Sequence, residues 1–328
     1  MTASTQTTPT PASVAPELPT RAPRSLWSDA WRRLRKNAAA MISIFVILFF
    51  MVVAIFAPWI APYSPIEQKA RNSLRQPVWV QTNDPVTTGS PDHILGTDAL
   101  GRDIFSQLVY GTRVSLIVGF IPQAIVLLIG VPLGLLSGYA GGRTDNLIMR
   151  FTDIVYAFPD VLFVITLTTA LRETFIGQAF NGLLLIFFAL SVVGWTGITR
   201  LVRGQVLSLK EKEFVESARA IGVPTSAILF RHILPNTLAP ILVSVAFGVP
   251  GAIIAEAFLT FLGTGMRPST DPSAPFPSSW GAMLLDGYNN LSSGPWYLLF
   301  PALCVGLITM AFTFVGDGLR DALDPRGE

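Results

Sequence analysis

Cysteine, histidine and charged side chains are all scarce in this sequence. One cysteine, Cys304, and two histidines leave no disulfide framework within the chain and no zinc site made of His and Cys ligands. No lysine follows a glycine, which excludes the GxxxxGK[ST] loop that holds nucleotide phosphates. If the protein uses ATP, another chain therefore binds it. The net charge of +2 gives no indication of a nucleic-acid partner.

The shortage of charge has a counterpart in the abundance of apolar residues. Charged residues make up 13% of the chain and hydrophobic ones 51%, whereas a soluble domain is about 25% charged. The composition therefore predicts an all-α polytopic membrane protein.

Six apolar stretches are long enough to cross a bilayer as helices, because about 20 residues at ~1.5 Å each span its ~30 Å core. The predicted spans are residues 41–60, 114–136, 154–171, 180–198, 238–262 and 296–315. Lysine and arginine are more numerous in the segments that lie inside when both termini are cytoplasmic. We therefore expect a multi-pass membrane protein with both termini in the cytoplasm.

The segments around these spans have distinct compositions. Thr, Pro, Ala and Ser dominate residues 1–24, which predicts a disordered cytoplasmic tail. Within 25–60, Trp and Arg at helical spacing predict an interfacial helix on membrane lipid before the first span. Residues 61–113 are expected to form an extracytoplasmic loop ending in a short pre-membrane helix near Ile104. A five-helix unit, 114–316, and a cytoplasmic tail, 317–328, complete the prediction.

Three glycines in the second predicted span are spaced four residues apart. Gly130, Gly134 and Gly138 therefore lie on one face of a helix. Small residues at this spacing allow two membrane helices to approach closely, which predicts a helix–helix contact here.

Residues 211–235 form a charged interruption between two apolar spans. Phe214, Ala218 and Ile221 have helical spacing and predict one apolar face. Gly222 is suited to a left-handed helix cap, and a second short helix is expected to end at Pro235. The pattern alone leaves two interpretations open, a solvated loop on lipid headgroups and a docking element for a soluble partner.

The residues of this hairpin carry a family resemblance. Glu216-Ser217-Ala218, then Gly222, then Leu234-Pro235 resembles the "EAA…G…LP" signature of permease subunits of ATP-binding-cassette importers. Ser217 replaces an alanine of that signature, and His232 stands where the generic pattern has isoleucine. The stretches HILGTDALGRDIFSQLVYGTRVSLIVG, GGRTDNLIMRFTDIVYAFPDVLF, WTGITRLVRGQVLSLKEKEFVESARAIG and GDGLRDALDPR are similar to the dipeptide/oligopeptide permease C subunits over about residues 25–326.

The resemblance implies a type I importer permease fold, with an extra N-terminal helix before a five-helix core, and a location in the bacterial plasma (inner) membrane. It also implies four partners: a homologous second permease, two ATPase subunits that bind ATP and Mg²⁺, and an extracytoplasmic peptide-binding protein. No catalytic residue, metal site or cofactor is expected in this chain. The expected ATPase-coupling residues are Glu213, Phe214, Glu216, Ser217, Ala218, Arg219, Gly222, Leu234 and Pro235.

Polar residues inside the predicted spans are candidates for the translocation path. These are Gln123, Ser191, Ser244 and Glu256, although each is also of a type that forms hydrogen bonds between helices. Asp160, directly after Pro159, is an acid where we expect an apolar residue in relatives. It could cap the start of a half-helix.

The expected function is ATP-driven import of dipeptides or oligopeptides, with ATP hydrolysis in partner subunits. The alternatives are the same kind of permease for nickel, glutathione or another small solute, and, more distantly, a secondary transporter or channel. The last class is disfavoured because the sequence has no evident inverted repeat and only isolated acids in its spans.

Overall fold

A computed structural model describes residues 26–271 and 274–323, so the predicted tail 1–24 lies outside the described residues. The regular elements in these ranges are helices. The α-helices are α1 Leu26–Lys36, α2 Ala38–Ile55, α3 Ala57–Ile60, α4 Ile104–Ala140, α5 Gly142–Tyr156, α6 Asp160–Ala170, α7 Phe175–Gln178, α8 Leu183–Leu209, α9 Glu213–Ala220, α10 Thr225–Ala227, α11 Leu234–Phe261, α12 Trp280–Asn289 and α13 Trp296–Leu323.

Five stretches of the described chain are helical, long and apolar enough to span a membrane. They contain α2, α4, α8, α11 and α13, and the bent pair α5–α6 raises the number to six if it counts as one span. The axes of α5 and α6 differ by 79°. The predicted third span, 154–171, is therefore not one straight helix. Pro159 explains the break, because proline disfavours helical backbone in the residue before it and supplies no N–H.

The helices α4, α8, α11 and α13 are longer than the apolar runs that predicted them, whereas α2 ends at Ile55, before the predicted boundary at residue 60. α4 begins at Ile104 and continues without a break to Ala140, so the separate pre-membrane helix expected near Ile104 is wrong. Asp103 caps this long helix by accepting a 2.8 Å hydrogen bond from the N–H of Ser106. The carboxyl end of α8 is also extended: this helix continues to Leu209, well beyond the predicted boundary at residue 198.

The glycine face of α4 packs against α8, as the spacing predicted. A Cβ atom on Gly134 would lie 2.6 Å from the Cβ of Val202, and one on Gly138 would lie 2.7 Å from that of Val206. Residue numbers rise together on the two helices, so α4 and α8 are parallel. Their carboxyl ends therefore lie at the same end of the bundle, which we call the hairpin end because residues 211–235 follow it.

The first and last helices meet at this same end. Gly318 of α13 faces the side chains of Leu34 in α1 and Ala40 in α2. Ala30, Leu34, Ala40 and Ala322 form one buried apolar cluster. The described beginning and end of the chain are therefore neighbours on one side of the bundle.

The connection between α3 and α4 folds onto the opposite end. Arg102 donates to Asp98 at 2.6 Å and to Asp286 of α12 at 2.8 Å, and Gln107 of α4 also donates to Asp98. Burial raises the pKa of Asp286, and the nearby Arg102 guanidinium opposes that shift. Asp103 additionally contacts His93 at 2.9 Å. These polar groups fix the start of α4 and tie it to α12.

Candidate coupling hairpin and translocation cavity

The hairpin from residue 211 to residue 235 consists of two helical arms joined by a tight turn. α9, Glu213–Ala220, forms the first arm; α10 and a π-helical turn, Ile228–Ile233, form the second. The second arm runs directly into α11, so the predicted stop at Pro235 is wrong. The wide π turn precedes the position where a regular helix would clash with the proline ring.

Gly222 makes the turn between the arms, as predicted. Its φ of +80° is the left-handed conformation that glycine adopts without strain. The N–H of Gly222 donates to the carbonyl of Arg219 at 3.1 Å, and the N–H of Val223 donates to that of Ala218 at 3.0 Å. This pair of bonds is the Schellman arrangement that closes a helix end. Pro224 occupies the N-cap position of α10.

The inner face of the hairpin is anchored in the bundle core. Val215, Ala218, Ile228 and Ile233 are each at most 5% exposed and belong to one cluster with Val206 of α8. Leu234 packs against this cluster, whereas Pro235 is exposed. The hairpin is thus an extension of the membrane bundle that moves with α8 and α11.

The outer face carries exposed apolar side chains. Phe214 is 41% exposed, Ile221 is 81% exposed and Phe230 is 62% exposed. The predicted stripe of Phe214, Ala218 and Ile221 is therefore split, because only Ala218 faces the core. Val215 takes the inner position that periodicity assigned to its neighbour Phe214. The two faces together suit an element held by the bundle on one side and contacted from the other.

Charged groups of the hairpin also point outward. Glu213, Glu216, Ser217 and Arg219 are exposed. Glu216 and Arg219, three residues apart on α9, form no ion pair in the part of the chain described. The guanidinium of Arg219 instead lies 5.8 Å from the ring centre of Tyr139, at the end of α4. The acidic groups of α9 remain available to a partner.

A bidentate ion pair fixes the base of the hairpin. Arg203 of α8 donates to both carboxylate oxygens of Asp145 in α5, at 2.6 Å and 2.7 Å. Ser137 of α4 donates to the same carboxylate. Three helices therefore meet at one polar joint beside the hairpin. Sequence reasoning missed this joint, because nothing local relates residues 58 positions apart.

An open cavity lies between α4, α6, α8 and α11. Its volume is about 260 Å³. The lining residues are Pro122, Gln123, Asp160, Val161, Val164, Leu190, Val193, Gly194, Gly248, Gly251, Ala252, Ala255, Phe258 and Leu259. Most of this lining is apolar, and the wall contains residues from four different spanning elements.

The predicted path residues fall in different places. Gln123 lines the cavity, and Ser244 is half-buried outside its lining. Ser191 is buried and donates to the carbonyl of Phe187, one turn earlier.

Glu256 is fully buried between α11 and the start of α12, where Thr260 and Ser279 donate to it at 2.8 Å and 2.7 Å. Neither Ser191 nor Glu256 faces the cavity, since each meets other groups of this chain.

Asp160 lies at the start of α6, on the wall of the cavity. It is the first residue of α6, but Pro159 occupies the cap position and has no capping hydrogen bond. The Asp160 side chain is exposed to the cavity.

This architecture is that of a membrane-embedded transporter subunit with a protruding helical hairpin, and similarity to known proteins identifies the class. Residues 130–327 match the family described as "Binding-protein-dependent transport system inner membrane component". Residues 25–77 match the "N-terminal TM domain of oligopeptide transport permease C". The chain belongs to the oligopeptide and dipeptide permease C family of binding-protein-dependent transport systems.

Relatives share most of their length with this chain. It is 42% identical over 303 residues to the "Dipeptide transport system permease protein DppC" of Bacillus subtilis, which covers 92% of this chain and 86% of that protein. It is 43% identical to the "Oligopeptide transport system permease protein OppC" of Haemophilus influenzae, over 92% of this chain and 89% of that protein. The OppC of Escherichia coli is 41% identical over 92% of both chains.

The fold resembles a solved transporter structure. An inward-facing structure of the MetNI methionine ABC transporter aligns with a TM-score of 0.54 at 16% identity, over 66% of this chain and 95% of that one. At this identity the likeness concerns the fold alone. It supports the predicted importer-permease architecture, to which the segment matched by the N-terminal family adds α1 and α2.

Proposed function

We propose that this chain is one of two permeases in an importer of dipeptides or oligopeptides. The observation that carries the proposal is the near full-length similarity to DppC and OppC proteins, which are named as dipeptide and oligopeptide transport permeases. The cavity between four spanning elements gives this chain a surface that cargo can pass. A homologous permease is proposed to supply the other wall.

We further propose that the hairpin faces the cytoplasm and contacts an ATPase subunit. The sequence has no phosphate-binding loop, so the nucleotide belongs to another chain. The hairpin suits force transfer because its inner face is part of the core and its outer face exposes Phe214 and Ile221. Closure of two ATPase subunits then moves the hairpins as rigid bodies and changes the opening of the path. An extracytoplasmic binding protein delivers the cargo at the opposite end.

The coupling residues can be tested without disturbing the core. Glu216 and Gly222 are exposed, and no atom lies within 4 Å of a Cβ placed on Gly222. Glu216→Lys and Gly222→Asp should therefore insert into the membrane as the wild type does, yet abolish peptide uptake. Val223→Ala, a half-buried position of the same turn, serves as the control that retains uptake.

Uptake of labelled dipeptides and pentapeptides tests the cargo. Cells or vesicles with the complete transporter should accumulate them with ATP, and those lacking this chain should not. Unchanged accumulation of every peptide without the chain would contradict a peptide-import function. Normal transport by assembled Glu216→Lys and Gly222→Asp variants would contradict the coupling role alone.

A further inference from the structure

Asp160 is an acid at a break in the membrane bundle. It begins α6, directly after the 79° bend that separates α6 from α5. Its side chain makes no ion pair or hydrogen bond within the described chain. Acids at membrane depth are rare and face protein partners, water or transported groups. The proposed coupling role of the hairpin does not involve Asp160.

The surroundings of Asp160 do not compensate its charge. The cavity lining contains no lysine, arginine or histidine, and Asp160 and Gln123 are its two polar side chains. The other lining residues are apolar or glycine. A carboxylate in such a setting attracts a cation strongly, because apolar walls reduce screening by water. The wall contributed by this chain is thus attractive to positive charge and unfavourable to negative charge.

Gln123 adds hydrogen-bonding capacity from α4, another wall of the same cavity. Its amide makes no hydrogen bond to the described chain, so its oxygen can accept from a cargo N–H. Gly248 maintains the space for this amide, because a Cβ there would lie 2.4 Å from the Gln123 side-chain oxygen. A carboxylate and an amide oxygen together are suitable acceptors for an ammonium group, which has three N–H donors.

The volume of the cavity can be compared with the size of a peptide group. About 260 Å³ corresponds to several water molecules at roughly 30 Å³ each and to a small part of a peptide. The recess in the wall formed by this chain is therefore large enough to receive one peptide terminus or one side chain. Peptides carry ammonium groups at the N-terminus and on lysine side chains, and both are of this size.

We propose that Asp160, assisted by Gln123, receives the ammonium group of a peptide during its passage through the membrane. This inference rests on the proposed peptide-import function and adds a charge preference to the path. The site favours cargo with a free N-terminal amine or a lysine side chain.

Relative uptake of matched tripeptides by the reconstituted complex tests the inference. The probes are Ala-Ala-Ala, its N-acetylated form and Ala-Lys-Ala, each loaded on the same binding protein. The binding protein, which is a separate chain, is the same for every permease variant. A change in uptake ratios between variants therefore arises in the permease. In Asp160→Asn we expect uptake of the peptide that carries the recognised ammonium group to fall by about tenfold, relative to uptake of the matched peptide that lacks it.

The probes distinguish the two sources of ammonium. A lower ratio of Ala-Ala-Ala to its acetylated form assigns the N-terminal amine, and a lower ratio of Ala-Lys-Ala to Ala-Ala-Ala assigns the side chain. Asp160→Glu retains the charge and should preserve the wild-type ratios. Asp317→Asn makes the same change of charge at an exposed position of α13 outside the cavity, and should also preserve them.

The contrary results are distinct. Unchanged ratios in Asp160→Asn overturn the inference and leave peptide import intact. Equal loss of all three peptides, or loss of assembly with the sister permease, overturns it in favour of an ion pair between permeases. If the wild-type complex takes up none of the peptides, the proposed function fails and the inference fails with it.

Discussion

Gly222 shows how one residue serves both conformation and contact. Its left-handed φ of +80° closes α9, and the space around its absent side chain is empty within this chain. Glycine is therefore required here by the backbone conformation and not by crowding from the chain itself. Contact with an ATPase subunit would add a second requirement, that the tip remains small.

Two substitutions at Gly222 separate these requirements. Asparagine adopts the left-handed conformation readily, whereas valine there is strained by about 1–2 kcal/mol. We expect Gly222→Val to lower the thermal stability of the purified complex and Gly222→Asn to leave it nearly unchanged. Both should lose most ATP-driven uptake, because each enlarges the tip. Full uptake by Gly222→Asn would show that no partner approaches closely.

Sequence reasoning succeeded for residues whose role is local. Gly222 was predictable, because a helix ended by glycine and then proline has few alternatives. The outward position of Phe214 was not predictable, since Val215 beside it is equally apolar and only the packing against α8 decides which one is buried. The absence of a Glu216–Arg219 pair has the same origin, because Arg219 lies over the ring of Tyr139, a residue of another helix.

At the scale of elements, the contact between α4 and α8 is the close helix packing that the glycine spacing predicted. A methyl group at Gly134 would lie 2.6 Å from Val202 Cβ and 2.8 Å from the carbonyl oxygen of Thr199. Helix backbones this close leave no space for adjustment, and α8 carries the hairpin. The contact therefore fixes the base of the hairpin relative to α4.

Alanine substitution tests this contact against a matched glycine. Gly134→Ala should lower the stability of the complex by about 1–3 kcal/mol, the range for overpacked cores. Gly204→Ala on α8 has no atom within 4 Å of the new methyl group and should be neutral or slightly stabilising. Thermal unfolding in detergent measures both. Equal behaviour of the two variants would argue against close α4–α8 packing, and Val202→Ala should partly restore Gly134→Ala.

The joint of Asp145 and Arg203 is a second element-level contact. Asp145→Asn and Arg203→Gln should each lower stability by about 1 kcal/mol, because both side chains are partly exposed and solvent screens the pair. The double variant should be no less stable than the worse single one, since the pair acts as a unit. Thermal unfolding of the three variants measures the coupling, and strictly additive losses would contradict a direct interaction.

The extents of the helices were the least predictable property of the elements. Hydropathy marks the part of a helix that lipid surrounds, whereas α4 and α8 continue as helices into polar sequence. The N-terminal extension of α4 depends on the Asp103 cap and on hydrogen bonds from Arg102 and Gln107 to Asp98. The break at Pro159 was visible in the sequence, but its 79° angle was not, because proline fixes a break and packing fixes its angle.

At the scale of the whole molecule, two working parts share helices. The cavity and the hairpin are both built on α8 and α11. Residues of α4 also line the cavity and pack at the base of the hairpin. Movement of the hairpin therefore moves two walls of the cavity. The spans and the hairpin motif were predictable from sequence, whereas the cavity was not, since its lining comes from four helices distant in the chain.

Photo-crosslinking from the hairpin tip tests whether an ATPase subunit contacts this chain there. Ile221 is 81% exposed beside the turn, and a benzophenone amino acid at this position should crosslink to an ATPase subunit in the assembled transporter. The same probe at Ile94, 53% exposed in the connection at the opposite end, should not. We expect an ATPase adduct from Ile221 that Gly222→Asp diminishes. An assembled, ATP-hydrolysing complex that yields no ATPase adduct from Ile221 would contradict it.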